Sequence, residues 1–239
     1  MSRIILVHGA WHGGWCWDQL LPFLKEAGHE VVAPDLPGHG DNSMPLNKIS
    51  LNRYVSSLET LLNSDDQPAV LIGHSMGGLV ISQLAERYPE KIEKLIFLCA
   101  FLLKNGEAVA AKNASHPALL GENMRIAEDG LSVTVNPEMI QEIFYHDCDS
   151  QLAQAAGAKL APQAAAPINT PIELTDENFG RVPRDAIICL QDRALNPDLQ
   201  RAMYRDANCG QLFELDSSHS PFLSMPKQLA QVIQASLDN

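Results

Sequence analysis

The sequence predicts an α/β protein built on a mainly parallel central sheet of about six strands, flanked by helices. Short aliphatic or β-branched runs recur at 3–8, 30–33, 69–73, 94–100, 186–190 and 211–215. They are mostly continuous rather than alternating, as strands buried on both faces of a parallel sheet require. Amphipathic segments at 16–27, 51–63, 76–87, 198–206 and 226–237 separate or close them. Such βα alternation builds a sheet with helices on both sides. A length of 239 residues fits one domain of this kind, spanning 1–239.

The alternation fails between 104 and 183, where Ala, Asn, Pro and Glu replace the aliphatic runs. A stretch of about 80 residues does not remain one structureless loop in a compact domain. Segments 137–145 and 150–160 read as short helices, so 104–183 is expected to be an inserted helical lid.

The formal charge of −12 opposes binding to phosphate backbones and anionic lipid, so neither nucleic acid nor a membrane is an expected partner. No run reaches the roughly 20 apolar residues that span a bilayer. After Arg3, only Ile4, Ile5, Leu6 and Val7 precede His8 and Gly9. That run is shorter than the apolar region of a secretory signal, and a cytoplasmic location is expected. The cysteines at 16, 99, 148, 189 and 209 are odd in number, scattered and never spaced as CxxC. This pattern argues against structural disulfides and a zinc site.

The chemistry concentrates in Gly73-His74-Ser75-Met76-Gly77-Gly78, which fits G-x-S-x-G and stands between an apolar run and a helical pattern. A serine at so sharp a strand-to-helix turn is held above the sheet, with glycines allowing close approach on either side. A serine hydroxyl needs a general base, and that base needs a carboxylate to orient it. Asp192 follows the run 186–190 and His219 follows 211–215. Both therefore emerge at the C-terminal edge of the sheet, where open α/β sheets bind ligands. Ser75, His219 and Asp192 are the expected nucleophile, base and orienting acid, with Glu107 and Asp216 as competitors for the acid. Two backbone N–H groups should stabilise an oxyanion. Met76, next to the nucleophile, supplies one, and the loop Gly9-Ala10-Trp11 the other, with Ala10 favoured.

His8 and His74 flank this site and are expected to bond backbone. His39, in Asp35-Leu36-Pro37-Gly38-His39-Gly40, should organise its loop, and Asp35 is read as structural. His12 and His146 are candidates for the pocket lining, whereas His29 and His116 are expected at the surface. Trp15 and Trp17 should pack beneath the active-site loop, with Trp11 nearest the substrate. Glu86, Arg87, Glu90 and Lys91 read as a solvated helix end.

The stretches Val7-His8-Gly9-Ala10-Trp11-His12-Gly13-Gly14-Trp15, Asp35 to Gly40 and Gly73 to Gly78 resemble the α/β-hydrolases that include plant methylesterases, plant hydroxynitrile lyases and bacterial esterases, some pyrethroid-hydrolysing. The likeness continues through Phe144-Tyr145-His146-Asp147-Cys148, through Ile188 to Leu195 and through Ser218 to Phe222, and is weakest over 103–138. It implies the α/β-hydrolase fold and an esterase working through an acyl-enzyme on a small-molecule ester. Ser75, Asp192 and His219 match the family's triad, and Ala10 and Met76 its oxyanion donors. It further implies no metal and no organic cofactor, and it places Phe144 and Tyr145 in the lid near the substrate. A homodimer is an open alternative to the monomer.

Cyanohydrin cleavage by the same triad is the competing reaction, and a non-catalytic small-molecule receptor the third reading. The family's lyases carry a threonine where this chain has Gly9 and a lysine where it has Ser220. Ser220 cannot supply the charge that stabilises departing cyanide, though Arg193 is a nearby cation. Gly9 is expected to leave space beside Ser75 for a tetrahedral intermediate and a water.

Overall fold

Ile4, Ile5, Leu6 and Val7 are completely buried because the strand they form, β1 (Arg3–Val7), lies inside a sheet covered on both faces. The computed structural model describes residues 1–113 and 116–238. Three further strands follow in the first half: β2 (Glu30–Val32), β3 (Ala69–His74) and β4 (Ile92–Leu98). Between them stand α1 (Leu21–Glu26), α2 (Leu51–Leu62) and α3 (Gly77–Arg87). On α2 the buried residues Leu51, Tyr54, Val55, Leu58 and Leu62 recur with helical period, and Ser50 caps its start by accepting from the Arg53 N–H at 3.2 Å.

The segment between β4 and the next strand of the main sheet holds α4 (Val109–Asn113), α5 (Leu119–Glu122), β5 (Met124–Ile126), β6 (Ser132–Val135), α6 (Ile140–Phe144), α7 (Ser150–Gly157), β7 (Gln163–Ala164) and α8 (Ala165–Asn169). Residues 114 and 115 of the expected lid lie outside the described residues. The chain then returns through β8 (Arg184–Cys189), α9 (Pro197–Asp206), β9 (Leu212–Leu215), α10 (Pro221–Ser224) and α11 (Pro226–Leu237). Among the described residues, the main sheet has six strands in the order β2-β1-β3-β4-β8-β9, every neighbouring pair parallel.

The structure differs from the sequence reading in several places. The amphipathic segment 16–27 divides into a 3-10 turn at Gly14–Trp17 and the short α1, whose Pro22 sits in its first turn. Proline lacks the N–H that a helix interior uses, so the helix starts beside it. The insertion is not purely helical, because β5, β6 and β7 form an antiparallel sheet in which Ile126 faces Val133 and Ser132 faces Ala164. Thr134 points to solvent while Val133 and Val135 are buried, so no continuous apolar run announces a strand.

His29 is buried rather than exposed: its Nδ1 accepts from the Ser2 N–H at 3.1 Å, and its Nε2 lies 2.8 Å from Gln234 Oε1. His116 is half-buried. Finally, Glu86 is no idle member of a helix end. Its carboxylate accepts from the Thr175 N–H, the Thr175 hydroxyl, the Asn178 amide and the Phe179 N–H, and so fastens the returning end of the insertion to α3.

The sheet order positions the site. After β1 the chain crosses to β2 on one side and returns to β3 on the other. This reversal opens a crevice beyond the C-terminal ends of β1 and β3, where ligands bind in open α/β sheets. Val7 pairs with Gly73 across that boundary, so the loop after β1 and the turn after β3 face one another.

Candidate active site

Ser75 occupies the turn between β3 and α3 with φ of +53°, a left-handed conformation costly for a residue with a side chain. Three backbone bonds hold it there. Its N–H donates to Leu98 O at 3.2 Å, and its carbonyl accepts from Gly78 at 3.1 Å and Phe101 at 3.0 Å. The turn also needs Gly77, since a Cβ there would meet Val7 O at 2.5 Å.

Asp192 lies just beyond β8 and His219 just beyond β9, and their side chains are joined by a 2.7 Å contact between Oδ2 and Nδ1. Both are buried. Asp192 Oδ1 accepts from the N–H groups of Ala194 and Leu195 at 2.7 and 2.8 Å, while Oδ2 also accepts from Gln200 Nε2 at 2.9 Å. Four donors hold the carboxylate in one orientation, and as an acceptor it fixes the His219 proton on Nδ1. Nε2 is then free to accept a proton. The competing acids are engaged elsewhere: Glu107 with Lys112 and the Lys104 N–H, and Asp216 with Gln191.

The loop after β1 closes on this turn. A Cβ on Gly9 would meet His74 Nδ1 at 2.7 Å and Ser75 Cβ at 2.8 Å. Gly9 therefore does not leave a void beside Ser75, as the sequence suggested; it lets the loop pack directly against the serine. His8 Nδ1 donates to Gly9 O at 2.8 Å, and its Nε2 accepts from the Leu36 N–H at 3.0 Å. His74 Nε2 donates to His219 O at 2.9 Å. Both histidines thus bond backbone, and burial holds each well below its ordinary pKa. His39 lies near Pro37 O within its loop and, through Nε2, near Gln163 of β7. Asp35 accepts from the N–H groups of Gly14 and Asp41. The N–H groups of Ala10 and Met76 have no acceptor among the described residues.

The expected pocket residues divide. Trp11 is 6% exposed, its φ is +63°, its Nε1 donates to Val133 O at 2.8 Å, and its ring lies 5.8 Å from that of Phe144. Phe144 lies 5.9 Å from the His219 ring. Trp17 is buried and Trp15 half-buried, stacked on His12. Phe144, His12, Tyr145 and Ser220 have almost no accessible surface. His12 and Tyr145 are bonded to each other at 2.8 Å, and the Ser220 hydroxyl is buried without a partner among the described residues. His146 bonds Gln191 O at 2.9 Å, next to Asp192, and Arg193 is half-buried and paired with Glu142.

Sequence reasoning missed three groups that brace the site. Gln200 sits among Leu199, Met203 and Tyr204 on the buried face of α9, and an amide in an apolar stripe is a signal that it has a buried partner. Ser218 and Asp147 carried no such signal. The Ser218 N–H donates to Asp147 Oδ2 at 2.8 Å and its hydroxyl to Phe144 O at 3.0 Å, binding the insertion to the histidine loop. As for metal ligands, His74, Cys99 and His219 bring ring nitrogen and sulfur atoms within 4.8 Å of one another. However, His74 Nε2 and Cys99 Sγ both point at His219 O, and burial pushes the Cys99 thiol well up. These are donors to one carbonyl rather than an open ligand set.

With this geometry in place, the model of the family described as "Alpha/beta hydrolase family" matches residues 4–232. The chain belongs to the alpha/beta hydrolase family. Methylesterase 7 of Arabidopsis thaliana is 30% identical over 250 residues, an alignment covering 97% of this chain and 95% of that protein. The crystal structure of a pyrethroid hydrolase from Sphingobium faniae JZ-2 superposes with a TM-score of 0.89 at 28% identity, covering 99% of this chain and 97% of that one. A methylesterase structure from Arabidopsis, MES16, gives a TM-score of 0.86 at 25% identity, covering 100% and 99%. The parallel six-stranded sheet is thus the α/β-hydrolase sheet. The resemblance read from the motifs, to plant methylesterases and bacterial esterases within this family, is borne out.

Proposed function

We infer that the protein is a carboxylic ester hydrolase and propose that it acts as a serine esterase on small to medium esters. The observation that carries this reading is the buried Asp192–His219 pair packed on His74, the residue that precedes a serine held at positive φ, with each group at the end of its own parallel strand. Names among the relatives support the reaction class: methylesterases on one side and a pyrethroid hydrolase on the other.

In this mechanism Ser75 Oγ attacks the ester carbonyl carbon while His219 Nε2 takes its proton, and Asp192 stabilises the resulting imidazolium. The Ala10 and Met76 N–H groups, with no acceptor among the described residues, receive the oxyanion; each such donor is worth on the order of 3 kcal/mol in enzymes where one has been removed. His219 then protonates the departing alcohol, leaving an acyl group on Ser75. Water, deprotonated by His219, releases the acid by the reverse sequence. Residues 104–183 would form a lid over this centre, with Trp11 and Phe144 as its apolar wall.

Cyanohydrin cleavage is the weaker reading. A threonine side chain at Gly9 would collide with His74 and Ser75, Ser220 has no charge, and Arg193 is occupied by Glu142. The test is a panel of esters varying in acyl and alcohol size, assayed beside mandelonitrile and acetone cyanohydrin with a Ser75→Ala control. Serine-dependent ester hydrolysis supports the proposal; serine-dependent cyanide release faster than hydrolysis of any ester would replace it.

A further inference from the structure

The loop carrying Ala10 is gripped by a side chain that sequence reading assigned to the substrate wall. His12 Nδ1 lies 2.9 Å from Ala10 O and its Nε2 lies 2.8 Å from Tyr145 Oη. A carbonyl only accepts, so the His12 proton must sit on Nδ1. Nε2 then carries a lone pair, and the Tyr145 hydroxyl donates to it. The chain of donors runs one way, from Tyr145 O–H through the imidazole to the Ala10 carbonyl. Burial pushes the His12 pKa down to about 3, so the ring is neutral at working pH and holds this single tautomer.

We propose that Tyr145 and His12 are positioning residues for the oxyanion-binding N–H of Ala10, so that the insertion sets the reactivity of the site as well as its substrate range. This rests on the serine-esterase reading above. The Ala10 carbonyl belongs to the peptide that follows the Ala10 Cα. Fixing that plane, while His8 fixes the preceding one through Gly9 O, leaves the Ala10 N–H one direction. The grip has work to oppose. Gly9 is permissive, and Trp11 is held at φ +63°. The same stretch of the insertion reaches the loops of the other catalytic groups through His146–Gln191 and Asp147–Ser218. The oxyanion loop is thereby registered to the base and the acid through one short segment.

The test uses Tyr145→Phe, which keeps the ring and removes the donor, together with His12→Asn and His12→Gln. Rates are expressed per active site, titrated with an organophosphonate. For Tyr145→Phe, kcat should fall about ten- to a hundredfold on small and bulky esters alike, with KM within about twofold. Inhibition by a trifluoromethyl ketone, whose adduct places an oxyanion in the hole, should weaken by a similar factor, while inhibition by the carboxylate product should not change. An asparagine amide can take the place of Nδ1 and still donate to Ala10 O, so His12→Asn should retain more activity than His12→Gln. An unchanged kcat in Tyr145→Phe, a loss confined to KM on bulky esters, or a more active His12→Gln would overturn the relay while leaving the esterase reading intact. A wild-type protein that hydrolyses no ester would overturn both.

Discussion

Gln200 Nε2 donates to Asp192 Oδ2, the same oxygen that receives the His219 Nδ1 proton, at 2.9 Å. Gln200 is itself fixed, donating to Leu195 O at 2.8 Å and accepting from the Cys189 N–H at 3.2 Å. The amide thus ties the end of β8, the acid and the start of α9 into one unit. Gln200→Leu should lower kcat about tenfold, since one hydrogen bond to a charged group contributes roughly 1.5–3 kcal/mol and part of that orients Asp192. Steady-state kinetics with an activated ester provide the measurement. Unaltered kcat would mean that the other three donors suffice.

Asp192→Asn should cost far more, because an amide neither stabilises imidazolium nor selects the useful tautomer of His219; a loss of several orders of magnitude is expected. Glu107→Gln and Asp216→Asn should stay within about threefold of wild type, as their carboxylates face Lys112 and Gln191 instead. A larger loss from either of these would move the acid to another strand end.

Acid should destabilise the fold early. His8, His12 and His74 are buried and shifted below 6.5, His12 to about 3, chiefly by desolvation. An unfolded chain binds protons at these sites between pH 6.5 and the folded values, whereas the native state does not. Their contribution is therefore complete above about pH 6.5 and is lost as pH falls, at up to about 1.4 kcal/mol per pH unit for each histidine. Urea unfolding followed from pH 7.5 to 5 should show a steep fall in midpoint. A flat midpoint across that range would contradict the assignment of neutral buried rings.

Gly9→Ala should be harmful beyond its size. A methyl group would enter at 2.7 Å from His74 Nδ1 and 2.8 Å from Ser75 Cβ, both part of the rigid turn. Overpacking of this kind costs about 1–3 kcal/mol, and the displaced loop carries the proposed oxyanion donor. Both a lowered thermal midpoint and a lowered kcat are expected, the first by calorimetry and the second by assay.

The sheet and the central residues were legible because each has a local signature. Continuous aliphatic runs marked the buried parallel strands, and Ser75, Asp192 and His219 each follow such a run at the edge where the sheet opens. The bracing was less so. Tyr145 and His12 are 133 positions apart, and their hydrogen bond exists only after the insertion folds onto the body. Strands β5 to β7 are short, and β5 and β6 turn residues to solvent, although Asp129-Gly130 between two β-prone stretches was an available turn signal. His29 was misread because a lone histidine after a glycine turn says nothing of the termini that cover it, here Ser2 and Gln234.

The central claim, that Ser75 is a nucleophile activated by His219, is tested most directly by reaction with a fluorophosphonate followed by intact-mass and peptide analysis. One adduct per chain is predicted, on the peptide containing Ser75, with its formation slowed by orders of magnitude in His219→Ala and absent in a folded Ser75→Ala. An adduct on another residue, or undiminished labelling and ester hydrolysis in Ser75→Ala, would contradict the account.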